Sequence, residues 1–225
     1  MTSPIQLSDV YRDRYYENQG LPELVTLIAP TERRVLDIGC GAGGNLRLLS
    51  ARGYDPVGVT LSLSEARACR EQGFDCHVAD LSVGLPFGAG AFDAVILSHV
   101  LEHMPWPEAA LAAALANVRS GGGVYVAVPN ALFLPERLRF LRGQFRYTET
   151  GIMDRTHLRF FDFASVRRLL EVVGVTVTAH FGVGFVPQRP LRRLAPQVAA
   201  RVDRWGVRHW PSLFAFHIVA AGRVP

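Results

Sequence analysis

An α/β fold on a mainly parallel sheet is what the sequence predicts, and three observations predict it. Short apolar runs alternate with helix-like segments along most of the chain, the pattern of βαβ units. One of those runs, Phe92-Asp-Ala-Val-Ile-Leu-Ser98, is almost wholly apolar, as a central parallel strand covered on both faces must be. The chain has 225 residues, 49% hydrophobic and 20% charged. That is room for one domain with a full core, and a balance that excludes disorder and coiled coil.

The elements follow in order. Residues 1–30, with Tyr11, Tyr15 and Tyr16, read as a helical lid ahead of the sheet. Val35 to Gly39 is a buried strand entering a glycine loop, and Asn45 to Arg52 is a helix closed by Gly53. Pro56 to Thr60 is the second strand. Ser64 caps a helix running to about Gln72, and Phe74 to Ala79 makes the third strand. After the fourth strand, Phe92 to Ser98, an alanine-rich helix follows Pro107 and stops near Gly121. Val124 to Val128 is the fifth strand, terminated by Pro129. The alternation then breaks: residues 131–160 are aromatic and arginine-rich with no clean period, and read as a cap. Asp162 is a good N-cap for a helix ending at Gly174. Val175 to Phe181 and Leu213 to Ala221 are the last two strands, separated by a basic helical insertion over 187–211. The whole, 1–225, is expected to be one domain.

Composition excludes several functions. No apolar run approaches the ~18–20 residues of a membrane span, and the amino terminus lacks a signal-peptide pattern, so a cytoplasmic protein is expected. Three cysteines without a CxxC pair make neither a disulfide framework nor a metal knuckle. All 24 basic residues are arginine, so no lysine can form a Schiff base or hold a phosphate. Residues 1–130 carry a net −5 and residues 131–225 a net +9. That asymmetry points the second half toward something anionic.

The loop Gly39-Cys-Gly41-Ala-Gly43-Gly44 joins a strand to a helix, and Gly39, Gly41 and Gly44 fit the spacing of a dinucleotide fingerprint. Asp37 decides against that reading. A carboxylate there would repel a pyrophosphate and welcome a cationic group. The acid that would hold an NAD ribose is also missing, its position falling on Thr60.

These residues carry a resemblance. Val35-Leu-Asp-Ile-Gly-Cys-Gly-Ala-Gly43 resembles the first motif of class I S-adenosylmethionine-dependent methyltransferases. Val78-Ala-Asp80-Leu, Leu85-Pro-Phe87, Phe92-Asp-Ala-Val95, Leu101-Glu-His103 and Gly121-Gly-Gly-Val-Tyr continue it over roughly residues 30–180. The resemblance implies a Rossmann-like α/β fold of seven strands, mostly parallel with the last antiparallel, and helices on both faces. It implies S-adenosyl-L-methionine as cofactor. Asp37 and the Gly39, Cys40 and Gly41 backbone would hold its methionine end, with Asp80 and Leu81 at the adenine. Asn45 and Ser98 complete the predicted set. Where most of the family has an acid for the ribose, this chain has Thr60-Leu61-Ser62, so Thr60 and Glu65 are the candidates, flanked by Leu61.

Methyl transfer needs alignment, and a base only when the acceptor atom is protonated. Residues after the fourth strand, Ser98-His-Val-Leu-Glu-His103, face the reacting centre in such a fold. No Asn/Asp-Pro-Pro-Tyr tetrad is present for an amine on a nucleic-acid base. His99 and His103, with His157 from the loop Gly151 to Phe161, are the candidate bases. The expected reaction is O-methylation of a small hydroxylated acceptor, a sugar or natural-product intermediate, with no metal. Two alternatives stand beside it. One is a non-catalytic accessory subunit. The other is a metal-dependent O-methyltransferase similar to those of ubiquinone biosynthesis, using His99, Glu102, His103 and His157. Nucleic acid is disfavoured as a partner.

Pro190 to Arg208 places Leu191, Leu194, Val198, Val202 and Trp205 at helical steps of three and four between arginines. The expectation is a helix closing its apolar face over the acceptor pocket. The alternative is a dimer contact or a weak membrane contact through 190–208.

Overall fold

A computed structural model describes residues 15–187 and 189–225. The strands are β1 Arg34–Ile38, β2 Asp55–Thr60, β3 Asp75–Val78, β4 Phe92–Ser98, β5 Val118–Pro129, β6 Thr176–Gly184 and β7 Ala215–Arg223. They form one sheet in the order β3-β2-β1-β4-β5-β7-β6. β1 to β5 pair in parallel, and β7 runs antiparallel to β5 and β6, as expected. The helices are α1 Pro22–Val25, α2 Gly44–Ser50, α3 Leu63–Glu71, α4 Pro107–Leu115, α5 Leu134–Leu141, α6 Phe163–Val172, α7 Arg189–Leu194, α8 Pro196–His209 and α9 Pro211–Phe214.

Side chains alternate across the sheet, and β4 shows how this builds two cores. Val95 and Leu97 share one core with Leu111 and Ala114 of α4 and Val166, Leu169 and Leu170 of α6. Ala94 and Ile96 share the other with Leu24 and Val25 of α1, Leu49 of α2 and Tyr125 of β5. Each fully buried aliphatic side chain contributes about 1.5–3 kcal/mol, so β4 anchors the residues that follow it. No helix among the described residues is long and apolar enough to cross a membrane.

Three stretches differ from expectation. α4 ends at Leu115 rather than near Gly121, because the Asn117 amide donates to the carbonyls of Ala113 (2.9 Å) and Ala114 (3.5 Å). The Ala114 carbonyl also accepts the Asn117 backbone N–H at 3.2 Å, so the last turn closes on Asn117. α5 lies inside the aperiodic cap, opened by Pro135 and braced by Arg139 on Glu136 at 2.8 Å. Leu134, Leu138 and Leu141 step by four and three in the sequence, yet its only buried residue is Glu136. The expected lid falls partly on residues 1–14, outside the described residues. Residues 15–21 form no helix, and α1 is four residues long.

The larger correction concerns α8. Its buried residues are Ala199, Asp203 and Gly206, while Leu194, Val198 and Trp205 are 86%, 49% and 53% exposed. The predicted apolar face therefore points away from the protein. Close approach decides the orientation. A Cβ on Gly206 would sit 2.5 Å from Val186 Cγ2. Asp203 accepts from the Val186 backbone N–H (2.9 Å) and pairs with Arg192 (2.9 Å). Small and hydrogen-bonded residues dock this helix, Val202 and Val207 are half-buried at its edges, and Val198 and Trp205 remain outside.

Candidate active site

The chain leaves β1 toward β2 and β3, then returns to place β4 on the other side of β1. In doubly wound sheets ligands bind beyond the carboxyl ends of the strands at such a reversal. A cavity of about 530 Å³ occupies that position, walled by the loops after β1, β2, β3 and β4, by residues 16–21, by Thr150 to His157 of the cap and by Phe216 and His217. Its size is that of a small-molecule site.

On one side stand the residues predicted for the cofactor. Gly39, Gly41, Asn45, Thr60, Leu61, Glu65, Asp80, Leu81 and Ser98 all line the cavity. Gly39 has φ +72°, and a Cβ there would lie 2.5 Å from Val100 Cγ2, so loop and β4 segment approach as only glycine allows. Thr60 Oγ1 donates to Glu65 Oε2, and Glu65 Oε1 accepts the Tyr16 N–H at 2.8 Å. Thr60 and Glu65 thus act as one unit that ties residue 16 over the cavity. Burial pushes the Glu65 carboxyl above its ordinary value against those two hydrogen bonds. Asp80 Oδ1 is engaged by the N–H (2.8 Å) and hydroxyl (2.6 Å) of Ser82, which fixes a turn at the cavity edge.

Two predicted residues are placed differently. The Cys40 side chain turns away from the cavity into a buried cluster with Cys69 and Cys76, its Sγ 3.7 Å from that of Cys76. Only the neighbouring glycines reach the wall. Asp37 is fully buried and is not among the residues that line the cavity. Asn45 Nδ2 donates to its Oδ1 at 3.3 Å, while Oδ2 has no hydrogen-bond partner among the described residues. Burial pushes the Asp37 carboxyl up to about 7. An unpartnered, acid-derived oxygen behind a glycine loop fits a cationic ligand in front of it.

On the other side stand the histidines. His99 follows β4 at φ +58°, a left-handed conformation uncommon outside glycine, with its N–H bonded to Ala127 O at 2.8 Å. Its Nδ1 lies 3.1 Å from Glu102 Oε1. Glu102 is buried, and its Oε2 has no hydrogen-bond partner among the described residues. Burial works against ionising Glu102, yet the His99 hydrogen bond and the charges of His99 and His103 outweigh it and hold its pKa below the usual range. His103 Nδ1 lies 3.1 Å from Thr156 O, and His157 Nδ1 lies 2.8 Å from Ile152 O. A carbonyl only accepts, so both rings donate from Nδ1 and, when neutral, carry the basic lone pair on Nε2. Burial pushes the His103 imidazole below its ordinary value. Donor atoms of Glu102, His103 and His157 lie within 4.8 Å of one another. All three predicted histidines line the cavity.

His217 of β7 escaped the sequence analysis. Its ring packs edge-on to His99, with centroids 4.7 Å apart, and burial together with the His99 charge pushes its pKa down to about 4. The available signal was a lone polar residue in the run Phe214 to Ala221. The basic insertion, by contrast, contributes nothing here. No described residue of 187–211 lines the cavity, so the expected closure over the acceptor pocket is replaced by the outward-facing α8.

The sequence model of a family described as "Methyltransferase domain" matches residues 11–180. The chain is 27% identical over 164 residues to the ubiquinone biosynthesis O-methyltransferase of Chromobacterium violaceum, covering 69% of each chain. It is 28% identical over 163 residues to the protein of the same name from Aromatoleum aromaticum, again covering 69% of each. Among solved structures, a SAM dependent methyltransferase from Archaeoglobus fulgidus shares the fold with a TM-score of 0.64. That likeness is at 20% identity and covers 91% of this chain and 95% of the other.

Proposed function

Since this chain belongs to the methyltransferase domain family and uses S-adenosylmethionine, we propose that it methylates a hydroxyl oxygen of a small acceptor, a sugar or a natural-product intermediate. The observation that carries the reading is the His99–Glu102 pair at the end of β4. An ionised, buried Glu102 accepts the Nδ1–H of His99, so the neutral ring presents Nε2 as a base. As that ring takes the acceptor's proton, the same carboxylate stabilises the imidazolium. When bound, S-adenosylmethionine supplies a methyl group already activated by its sulfonium. The protein's share is to align the hydroxyl, remove its proton and exclude water. The relatives named O-methyltransferases support oxygen as the atom.

Methyl-labelled S-adenosylmethionine incubated with small metabolites of the host tests this. Label should enter a low-molecular-mass acceptor. Co-purification with a protein partner and no transfer to any fraction would instead favour an accessory subunit. Glu65 gives a second expectation. Glu65→Ala frees both Thr60 and the Tyr16 N–H, and calorimetry should find cofactor binding about 10-fold weaker, the scale of one or two lost charge-assisted hydrogen bonds.

A second reading rests on the convergence of Glu102, His103 and His157. Imidazole and carboxylate donors suit a divalent transition metal, and the carbonyl bonds from each Nδ1 are the kind that orient metal-ligating rings. If this reading holds, a chelator abolishes transfer and a divalent ion restores it. Transfer indifferent to chelation leaves His103 and His157 as acceptor-binding residues.

A further inference from the structure

We propose that the outward face of α8 docks the protein on an anionic lipid bilayer. The proposal is independent of which atom is methylated. Residues 199, 203 and 206 hold the helix against β6 and α9, and the opposite sector presents two adjoining strips. One is apolar, with Val198 and Trp205 exposed on α8, Leu194 exposed at the end of α7, and Trp210 just past α8 48% exposed. The other is cationic, made of Arg201, Arg204 and Arg208, all exposed. The single acid of 189–210, Asp203, is buried and engaged by Arg192. No ion pair among the described residues neutralises Arg201, Arg204 or Arg208.

Charge and shape together select the occupant. A helix with low overall hydropathy, an apolar strip, flanking arginines and Trp at its end is suited to lie in a headgroup layer, its rings at the boundary with the acyl chains. The Trp205 and Trp210 rings already pack edge-on, with centroids 4.9 Å apart, as one amphipathic wedge. The face belongs to the half of the sequence with net +9, which matches an anionic surface. It adjoins a second exposed patch. α9 touches α5, Arg137 reaches Ser212 O at 3.4 Å, and Leu141 and Phe145 are 82% and 60% exposed. The same cap supplies Thr150 and Gly151 to the cavity wall, so a docked molecule would keep its mouth beside the membrane.

Flotation of the full chain with vesicles tests this. With phosphatidylglycerol/phosphatidylcholine vesicles at low salt the protein should float, and with phosphatidylcholine alone it should not. High salt should release it, because surface charges are screened. Arginines near an anionic surface contribute about 5-fold each to partitioning, so a variant with Arg201→Glu, Arg204→Glu and Arg208→Glu should bind at least about 100-fold more weakly. Trp205→Ala should also weaken flotation and reduce the blue shift of tryptophan emission on vesicle addition. These positions are exposed, and retained S-adenosylmethionine binding will confirm that each variant folds. A wild-type protein that stays unbound to anionic vesicles at low salt overturns the proposal. So does a concentration-dependent dimer, seen by ultracentrifugation and abolished by the same variants, without flotation.

Discussion

His99→Asn should lower turnover about 10²–10⁴-fold, the range general-base removal produces, while the cofactor dissociation constant stays within about 3-fold. Asparagine is the informative replacement because it tolerates the left-handed backbone at φ +58°. Its amide can still donate to Glu102, so the local hydrogen bond survives and the base alone disappears. His99→Gln adds a control with a longer side chain, and Glu102→Gln removes the charge that stabilises an imidazolium. All three should reduce turnover far more than cofactor affinity, since a proton acceptor acts in the transition state. Measurement of kcat and of cofactor binding in parallel checks this. Unchanged turnover in His99→Asn would reduce His99 to a residue that shapes the loop.

Asp37→Asn should stabilise the cofactor-free protein and weaken cofactor binding at the same time. A buried carboxyl raised from 3.8 to about 7 binds a proton more tightly folded than unfolded. Its stabilising contribution is therefore complete below about pH 4 and is lost as pH rises to about 7. The full loss corresponds to roughly 4 kcal/mol as an upper bound. Asparagine removes that loss, so at pH 8 the variant should melt higher, and near pH 4 the two proteins should converge. Binding should respond in the opposite sense. A cationic ligand in front of the loop favours the ionised carboxyl, so wild-type affinity should climb as pH passes about 7, and Asp37→Asn should show a flat profile with affinity about 10-fold lower at pH 8. Thermal melts across about pH 4–8 and calorimetry across about pH 6–8 check both signs. A destabilised variant at pH 8 would assign Asp37 a purely structural role.

The sheet and one wall of the cavity were legible because their signals are local. An apolar run of seven residues with Val95 and Ile96 at its centre, such as Phe92 to Ser98, has the length and composition of a covered strand. Gly39 and Gly41 mark a backbone approach, and Thr60 closes β2 five residues before Glu65 in the first turn of α3. Asp37 was recognisable as chemistry, but its set-back behind the wall depends on how β1 packs, which spacing does not encode. His217 comes to His99 only because β7 inserts beside β5, a pairing distant in sequence, as between Pro129 and His217. α8 was misoriented for a related reason. Steps of three and four define a helix with two distinct faces, but the face that docks was chosen by Gly206 and Asp203, through close approach and hydrogen bonding rather than hydrophobicity. The left-handed backbone of His99 has no sequence signature at all.

The central claim is transfer of a methyl group to an oxygen, and carbon NMR of the product tests it most directly. Protein supplied with S-adenosylmethionine carrying ¹³C in the methyl, together with small metabolites of its host, should yield one enriched methyl resonance in the O-methyl region. His99→Asn should lose that signal while still binding the cofactor. An enriched methyl bonded to nitrogen, sulfur or carbon, or undiminished O-methyl product from His99→Asn, would contradict the account.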